Sequence, residues 1–277
     1  IPLEKPRKYQ ILTFNPGYCA LGNEQDFFMD GGKNAGANNI EEVETNQKNI
    51  NSFLKASDAD FIFLQEVDEK AKRSKKVDQR QTYEKLEGYV SSFAYNYKVK
   101  YVPIPLGNAM GGVQSGIMTL SRYAASSVER YRFEGKEPYF VQLFELDRCF
   151  TITRIEVANG KELVLINAHF SAYDKDGKVR AQQLAQMKKV LQDEYQKGNY
   201  VVLGGDWNFE LPGTKADDNQ WEGEYPSWYV RMPADFTPDG YTWAVGTNAP
   251  TCRNTDMAYF KGRTFVVTLD GFLVSDN

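Results

Sequence analysis

Three short stretches place acid, amide and imidazole side chains just after apolar runs: Leu64-Gln65-Glu66-Val67, Ile166-Asn167-Ala168-His169 and Gly204-Gly205-Asp206-Trp207-Asn208. Glu66 follows the run Phe61 to Leu64, and an ionised carboxylate there faces solvent or a cation, because burying it unpaired is costly. A hard divalent ion such as Mg2+ suits it, since such ions take oxygen ligands, keep several waters and need only one or two protein carboxylates beside a substrate phosphate. Asp206 and Asn208 are two apart, so in an extended chain they share one side. That pairing suits an acid that orients and deprotonates a water while the amide donates to a phosphoryl oxygen. His169 is the only histidine; protonated, it offers charge to a phosphoryl oxygen or a proton to a leaving group. Asp270, inside the apolar stretch Phe265 to Val274, needs a partner if buried and is the candidate to orient His169.

Arg122 and Arg180 are candidates for gripping phosphate through the planar guanidinium, and Tyr173 for touching substrate. Each residue also has a plainer reading: a surface ion pair for Glu66 and the arginines, an Asp/Asn turn for Asp206 and Asn208, a structural histidine, a backbone-bonded Asp270, loop packing for Tyr173. Convergence on one sheet edge decides between the two sets.

Such convergence requires strands. Ile11 to Phe14 reads as a strand ending at Asn15-Pro16-Gly17, where Pro and Gly break the ladder. Ile40, Val43, Gln47, Ile50 and Leu54 follow helical spacing, then comes a strand from Asp60 to Leu64. Glu69 to Lys76 is dense in charge and reads as a solvated face, with a basic lip for an anionic substrate as the sharper alternative. Further strands are expected at Val113 to Leu120, Tyr139 to Leu146, Phe150 to Val157 and Glu162 to Ile166, the last two joined as a hairpin through Ala158-Asn159-Gly160-Lys161. Leu184, Met187, Leu191 and Tyr195 mark an amphipathic helix from Arg180 to Tyr195, followed by a strand at Tyr200 to Leu203. Leu211 to Pro250 lacks periodicity and reads as a long surface loop with short elements. Closing strands are expected near Met257 to Phe260 and Thr264 to Val274.

With 277 residues, 42% hydrophobic and 14% aromatic, the chain can bury a large core as one domain, 1–277, without disulfides or structural metals. A net charge of -4 argues against a broad basic face for nucleic acid. Cys19, Cys149 and Cys252 are widely spaced and lack metal-ligand spacing. No apolar run is long enough to span a bilayer.

Taken in order, Thr13-Phe14-Asn15, Leu64-Gln65-Glu66-Val67, Ser115-Gly116-Ile117 with Leu120-Ser121-Arg122, Asn167-Ala168-His169, Gly205-Asp206-Trp207-Asn208 and Leu269-Asp270-Gly271-Phe272 resemble the endonuclease/exonuclease/phosphatase superfamily over nearly the whole chain. The resemblance implies an α/β fold, a four-layer α/β/β/α sandwich of two packed mixed β-sheets flanked by helices, with the site between the sheets' loop ends. By that resemblance Glu66 binds a divalent metal, Mg2+ with Mn2+ or Ca2+ as alternatives, and Asn15 shapes its site. Asp206 with Asn208 positions the attacking water, and His169 and Asp270 match the family's histidine and its orienting acid. The superfamily spans deoxyribonuclease I-like nucleases, abasic-site endonucleases, sphingomyelinases and inositol polyphosphate phosphatases. The implied partner is therefore a phosphoester substrate (nucleic acid, nucleotide or lipid headgroup) acted on by a monomer, with no stable protein partner.

One departure stands out. Family members end in a strand carrying Ser-Asp-His, whereas this sequence stops at Val274-Ser275-Asp276-Asn277. The expectation is that a C-terminal strand and its loop are missing and that hydrolysis by this chain alone is weak or absent. The rival reading is a catalytically degenerate member acting as a binding module. The start at Ile1 without Met leads to the expectation of a removed leading segment, and of an extracytoplasmic or membrane-anchored location over a cytoplasmic one.

Overall fold

The computed structural model describes residues 2–135, 147–174, 177–216 and 221–277. Its four-stranded sheet has the order β1-β2-β4-β3, formed by β1 (Ile11–Phe14), β2 (Phe61–Asp68), β3 (Val90–Val102) and β4 (Gly111–Ser121). β1 and β2 are parallel and the other pairs antiparallel. The six-stranded sheet has the order β5-β6-β7-β8-β12-β9. Its strands are β5 (Ser127–Arg132), β6 (Cys149–Glu156), β7 (Glu162–His169), β8 (Tyr200–Asp206), β9 (Tyr241–Ala244) and β12 (Asp270–Ser275). β7 and β8 run parallel, so each sheet is mixed.

Strand periodicity sorts the core into layers. Phe61 and Phe63 point inward to meet Leu165 and Ile155 of the facing sheet. Ile62 and Leu64, one residue out of phase, pack outward with Leu54 of α1 (Ile40–Ser57) and Tyr83 of α2 (Gln79–Glu84). On the other sheet Val164 and Ile166 face Leu184, Met187 and Leu191 of α3 (Lys178–Gln196). Helix, sheet, sheet, helix is the resulting order. Each fully buried Phe or Leu contributes about 1.5–3 kcal/mol by leaving water, so slipping any of these strands by one residue is strongly disfavoured. α1 starts where the Asn39 side chain accepts from the Glu42 N–H at 2.8 Å, a standard N-cap.

A polar pair is sealed between the sheets. Gln65 and Asn167 are fully buried; Gln65 Nε2 donates to Asn167 Oδ1 at 2.9 Å, and Asn167 Nδ2 donates to the Met118 carbonyl at 3.0 Å. The bond ties β7 to β2 and β4 next to the strand ends that carry Glu66 and His169.

Some expectations need correction. Met257 to Phe260 is not a strand; the short ladder there is β10 (Cys252–Arg253) against β11 (Val266–Val267). The single strand expected over Thr264 to Val274 divides into β11 and β12, because Leu269 turns its carbonyl to Trp207 N–H. The strand expected at Tyr139 to Leu146 lies outside the described residues. The charged segment is not all solvated: Arg73 is buried and paired with Asp68 at 2.8 Å. All three cysteines are free thiols. Among the described residues, no helix is long and apolar enough to cross a membrane.

Candidate active site

The two sheets open at one end onto a cavity of about 860 Å3 whose lining includes Asn15, Glu66, His169, Asp206, Asn208 and Asp270. Register explains the grouping. β7 pairs with β8 so that His169 lies beside Asp206, and β12 pairs with β8 so that Asp270 lies on its other side. From the facing sheet Asn15, just past β1, reaches across: its Nδ2 donates to Asp206 Oδ2 at 2.9 Å and to Glu66 Oε1 at 3.3 Å.

Glu66 reaches the cavity through a β-bulge. The β2–β4 register shifts between Leu64 and Val67, and Glu66 adopts φ +49°. The extra residue lets Gln65 point between the sheets while Glu66 turns to the open end. Asp206 is placed by Gly205 (φ +137°), where a Cβ would sit 2.0 Å from the Ala168 carbonyl oxygen. Only glycine permits so close an approach to the neighbouring strand.

Burial shapes the electrostatics. It pushes the Asp206 carboxyl up from 3.8 to about 6; the bonds from Asn15 and the Asn208 N–H pull it down, and Glu66 nearby adds to the rise. Asp270 is raised further, by burial and then by Asp206 opposite it. Burial drives His169 well below its ordinary value, and the charges of Arg148 and Arg73 act in the same direction. Its Nε2 stands 3.6 Å from Asp206 Oδ2 and 3.9 Å from Glu66 Oε1, too far for hydrogen bonds. A neutral imidazole forms no ion pair there, so the protonated histidine expected from the sequence is not favoured.

Other candidates fall differently. Asp270 does not orient His169: β8 lies between their strands, and the carboxylate instead accepts from Thr251 Oγ1 at 2.6 Å. Asn208 commits one amide hydrogen to the Phe170 carbonyl at 2.8 Å, while its backbone N–H holds Asp206 Oδ1 at 3.0 Å. Asn15 turns Oδ1 to the Gly17 N–H, so it acts as a clamp on two carboxylates rather than as an oxygen donor toward them. Arg122 lies at the opposite end of β4, pairs with the exposed Asp58 and does not line the cavity. Arg180 is buried, donating to the carbonyls of Trp228 at 3.2 Å and Asp174 at 3.0 Å, which removes it from a phosphate-gripping role. Tyr173 lines the cavity and donates to Asp30 Oδ1 at 2.7 Å. Arg73, Arg148 and Asp30, which sequence reasoning did not select as site residues, also line it.

Among the described residues no group of three or more His, Cys, Asp or Glu side chains makes a closed metal cage. A hard ion that retains its waters needs less. Two carboxylates meeting on a single neutral amide, with Asp206 destabilised as an anion by burial and then by Glu66, form a donor set that fits one divalent cation. Glu66, with Asp206 beside it, would hold it.

Two mixed sheets packed face to face, with carboxyls and an imidazole gathered at one shared end, define an α/β sandwich of the deoxyribonuclease I type. A family model described as the Endonuclease/Exonuclease/phosphatase family matches residues 34–276, and the chain belongs to that family, which consists of phosphoester hydrolases. Similar solved structures include TDP2 from Caenorhabditis elegans (17% identity, 89% of this chain and 63% of that one, TM-score 0.54). They also include ANGEL2, described as a 2',3'-cyclic phosphatase (15%, 96% and 82%, 0.58), and the human Nocturnin catalytic domain (15%, 88% and 79%, 0.52). At these identities the likeness is one of fold. The chain spans about 63% of the length of the C. elegans TDP2 chain. No curated protein matches it in sequence.

Proposed function

We propose that the protein is a divalent-metal-dependent phosphoester hydrolase that uses in-line attack by water, with Asp206 as the base. The supporting observation is the convergence of Glu66 and Asp206 on one Asn15 amide, with Asp206 3.6 Å from the His169 imidazole, in the lining of a large cavity. A base with a value near 6 is mostly ionised at neutral pH yet still accepts a proton in the reaction. The two N–H groups on Asp206 hold its carboxylate in one orientation, so a water bonded to it is delivered from a fixed direction. His169 offers a neutral N–H to an oxygen of the substrate. When bound, the cation, Mg2+ in this reading, offsets charge on the phosphoryl oxygens.

Hydrolysis of a panel of phosphodiesters, phosphomonoesters and sphingolipid phosphoesters with Mg2+, with and without chelator, tests the reading. Turnover that needs the metal and is lost in Asp206→Asn supports it. Equal turnover by wild type and variant would show that another group is the base.

A further inference from the structure

Glu66, Asp206 and Asp270 alone would make the cavity hostile to an anion. Two arginines stand against them. Arg148, just ahead of β6, is 8% exposed and lines the cavity, and its charge reaches both His169 and Asp206. Arg73 is also 8% exposed on the same lining, within electrostatic reach of His169 and Glu66.

The Arg73 guanidinium is held rigidly. Its Nε and Nη2 donate to the two Asp68 oxygens at 3.0 and 2.8 Å, and its plane lies 3.9 Å from the Tyr18 ring centre. Ser74 Oγ donates to the same carboxylate at 2.8 Å. These contacts use one edge of the fork; among the described residues Nη1 donates to no partner. Stability does not call for such a pair, since a buried ion pair is commonly no better than apolar packing. Its placement on the cavity wall does have a use: a fixed, always-charged planar donor is suited to a tetrahedral oxyanion.

We propose that Arg73 and Arg148 form a guanidinium clamp in the cavity that Glu66 and Asp206 also line, binding the substrate's phosphoryl oxygens. The clamp supplies the fixed positive charge that a neutral His169 does not. The proposal rests on the phosphoester-hydrolase reading for its substrate, and it specifies an oxyanion with at least two acceptor oxygens.

The test measures inorganic phosphate binding by titration calorimetry in the presence of Mg2+, beside the KM for bis(p-nitrophenyl) phosphate. Arg73→Met alone would strand a buried Asp68 charge, so it is combined with Asp68→Asn; Arg148→Gln is the independent variant, Arg148→Lys the partial rescue and Arg122→Ala the control. Phosphate affinity should fall about tenfold or more in both clamp variants, with KM rising and the control unchanged. If one variant loses its thermal transition, the other decides. Affinity within about twofold of wild type in a folded variant, or no phosphate binding by wild type, overturns the clamp. The two readings fail separately: phosphate binding that needs both arginines, without turnover, rejects the hydrolase and keeps the clamp, whereas turnover unaffected by either change rejects only the clamp.

Discussion

Replacing Asp206 with Asn should abolish hydrolysis and yet stabilise the metal-free protein. Burial holds this carboxyl at about 6 against an ordinary 3.8. Keeping it ionised in the fold therefore costs about 3 kcal/mol, at 1.36 kcal/mol per tenfold. Asn removes that cost but has one acceptor oxygen for the two N–H groups, from Asn15 and Asn208, that Asp206 now satisfies. Losing one bond costs about 1 kcal/mol. The net gain is about 2 kcal/mol, a rise of about 4 °C in Tm for a chain this long. The sign depends on pH. A carboxyl raised in the folded state favours folding below its unfolded value, and that advantage disappears as pH rises through about 6. The variant should therefore melt higher than wild type at pH 8, and the gap should close toward pH 4. Scanning calorimetry in chelator across that range measures it. A variant that melts lower at pH 8, or a gap that ignores pH, would refute the electrostatic account of the site.

Mg2+ should raise the Tm of wild type but not of Glu66→Gln, which should fold normally and turn over about two orders of magnitude more slowly; a metal titration followed by melting, beside a turnover assay, checks both. Asn167→Leu should cost about 1–3 kcal/mol in denaturant unfolding, since the buried Gln65 amide would lose one of its two acceptors and keep only Thr13 Oγ1. Glu194 gives the opposite pH signature to Asp206. Burial, the largest influence, raises it, but Arg154, Lys197 and Asn199 outweigh that and hold it at about 2. Its contribution is complete above 4.5 and fades as pH falls toward 2, so Glu194→Gln should be destabilised by about 2–3 kcal/mol at pH 7, with the difference from wild type shrinking in acid.

The strands that carry the site were legible because their alternation or apolar runs are long and end in polar residues: β2, β7 and β8 lie where the pattern around Phe61, Leu163 and Tyr200 put them. Strand order was not legible. Spacing cannot reveal that β8 separates His169 from Asp270, nor that Arg122 belongs to the far end of β4. Arg73 and Arg148 were passed over for a related reason. One sits in a charge run that looks solvated, and its burial depends on contacts with Asp68 and Tyr18 that spacing does not reveal. The other precedes a strand with no neighbouring signal at all. Asn15 stood out as a strand-end residue, but its amide's choice between Gly17 and the two carboxylates is a tertiary matter.

The bulge in β2 makes the length of that strand as consequential as its composition. Adjacent residues there serve opposite sides: Gln65 closes the interior, and Glu66 faces the cavity at the open end. Deleting or inserting a single codon near this point would exchange the two, driving an acid into the seam and withdrawing it from the mouth. Insertions and deletions between Leu64 and Val67 are thus closed to β2, whose other residues are buried on both faces.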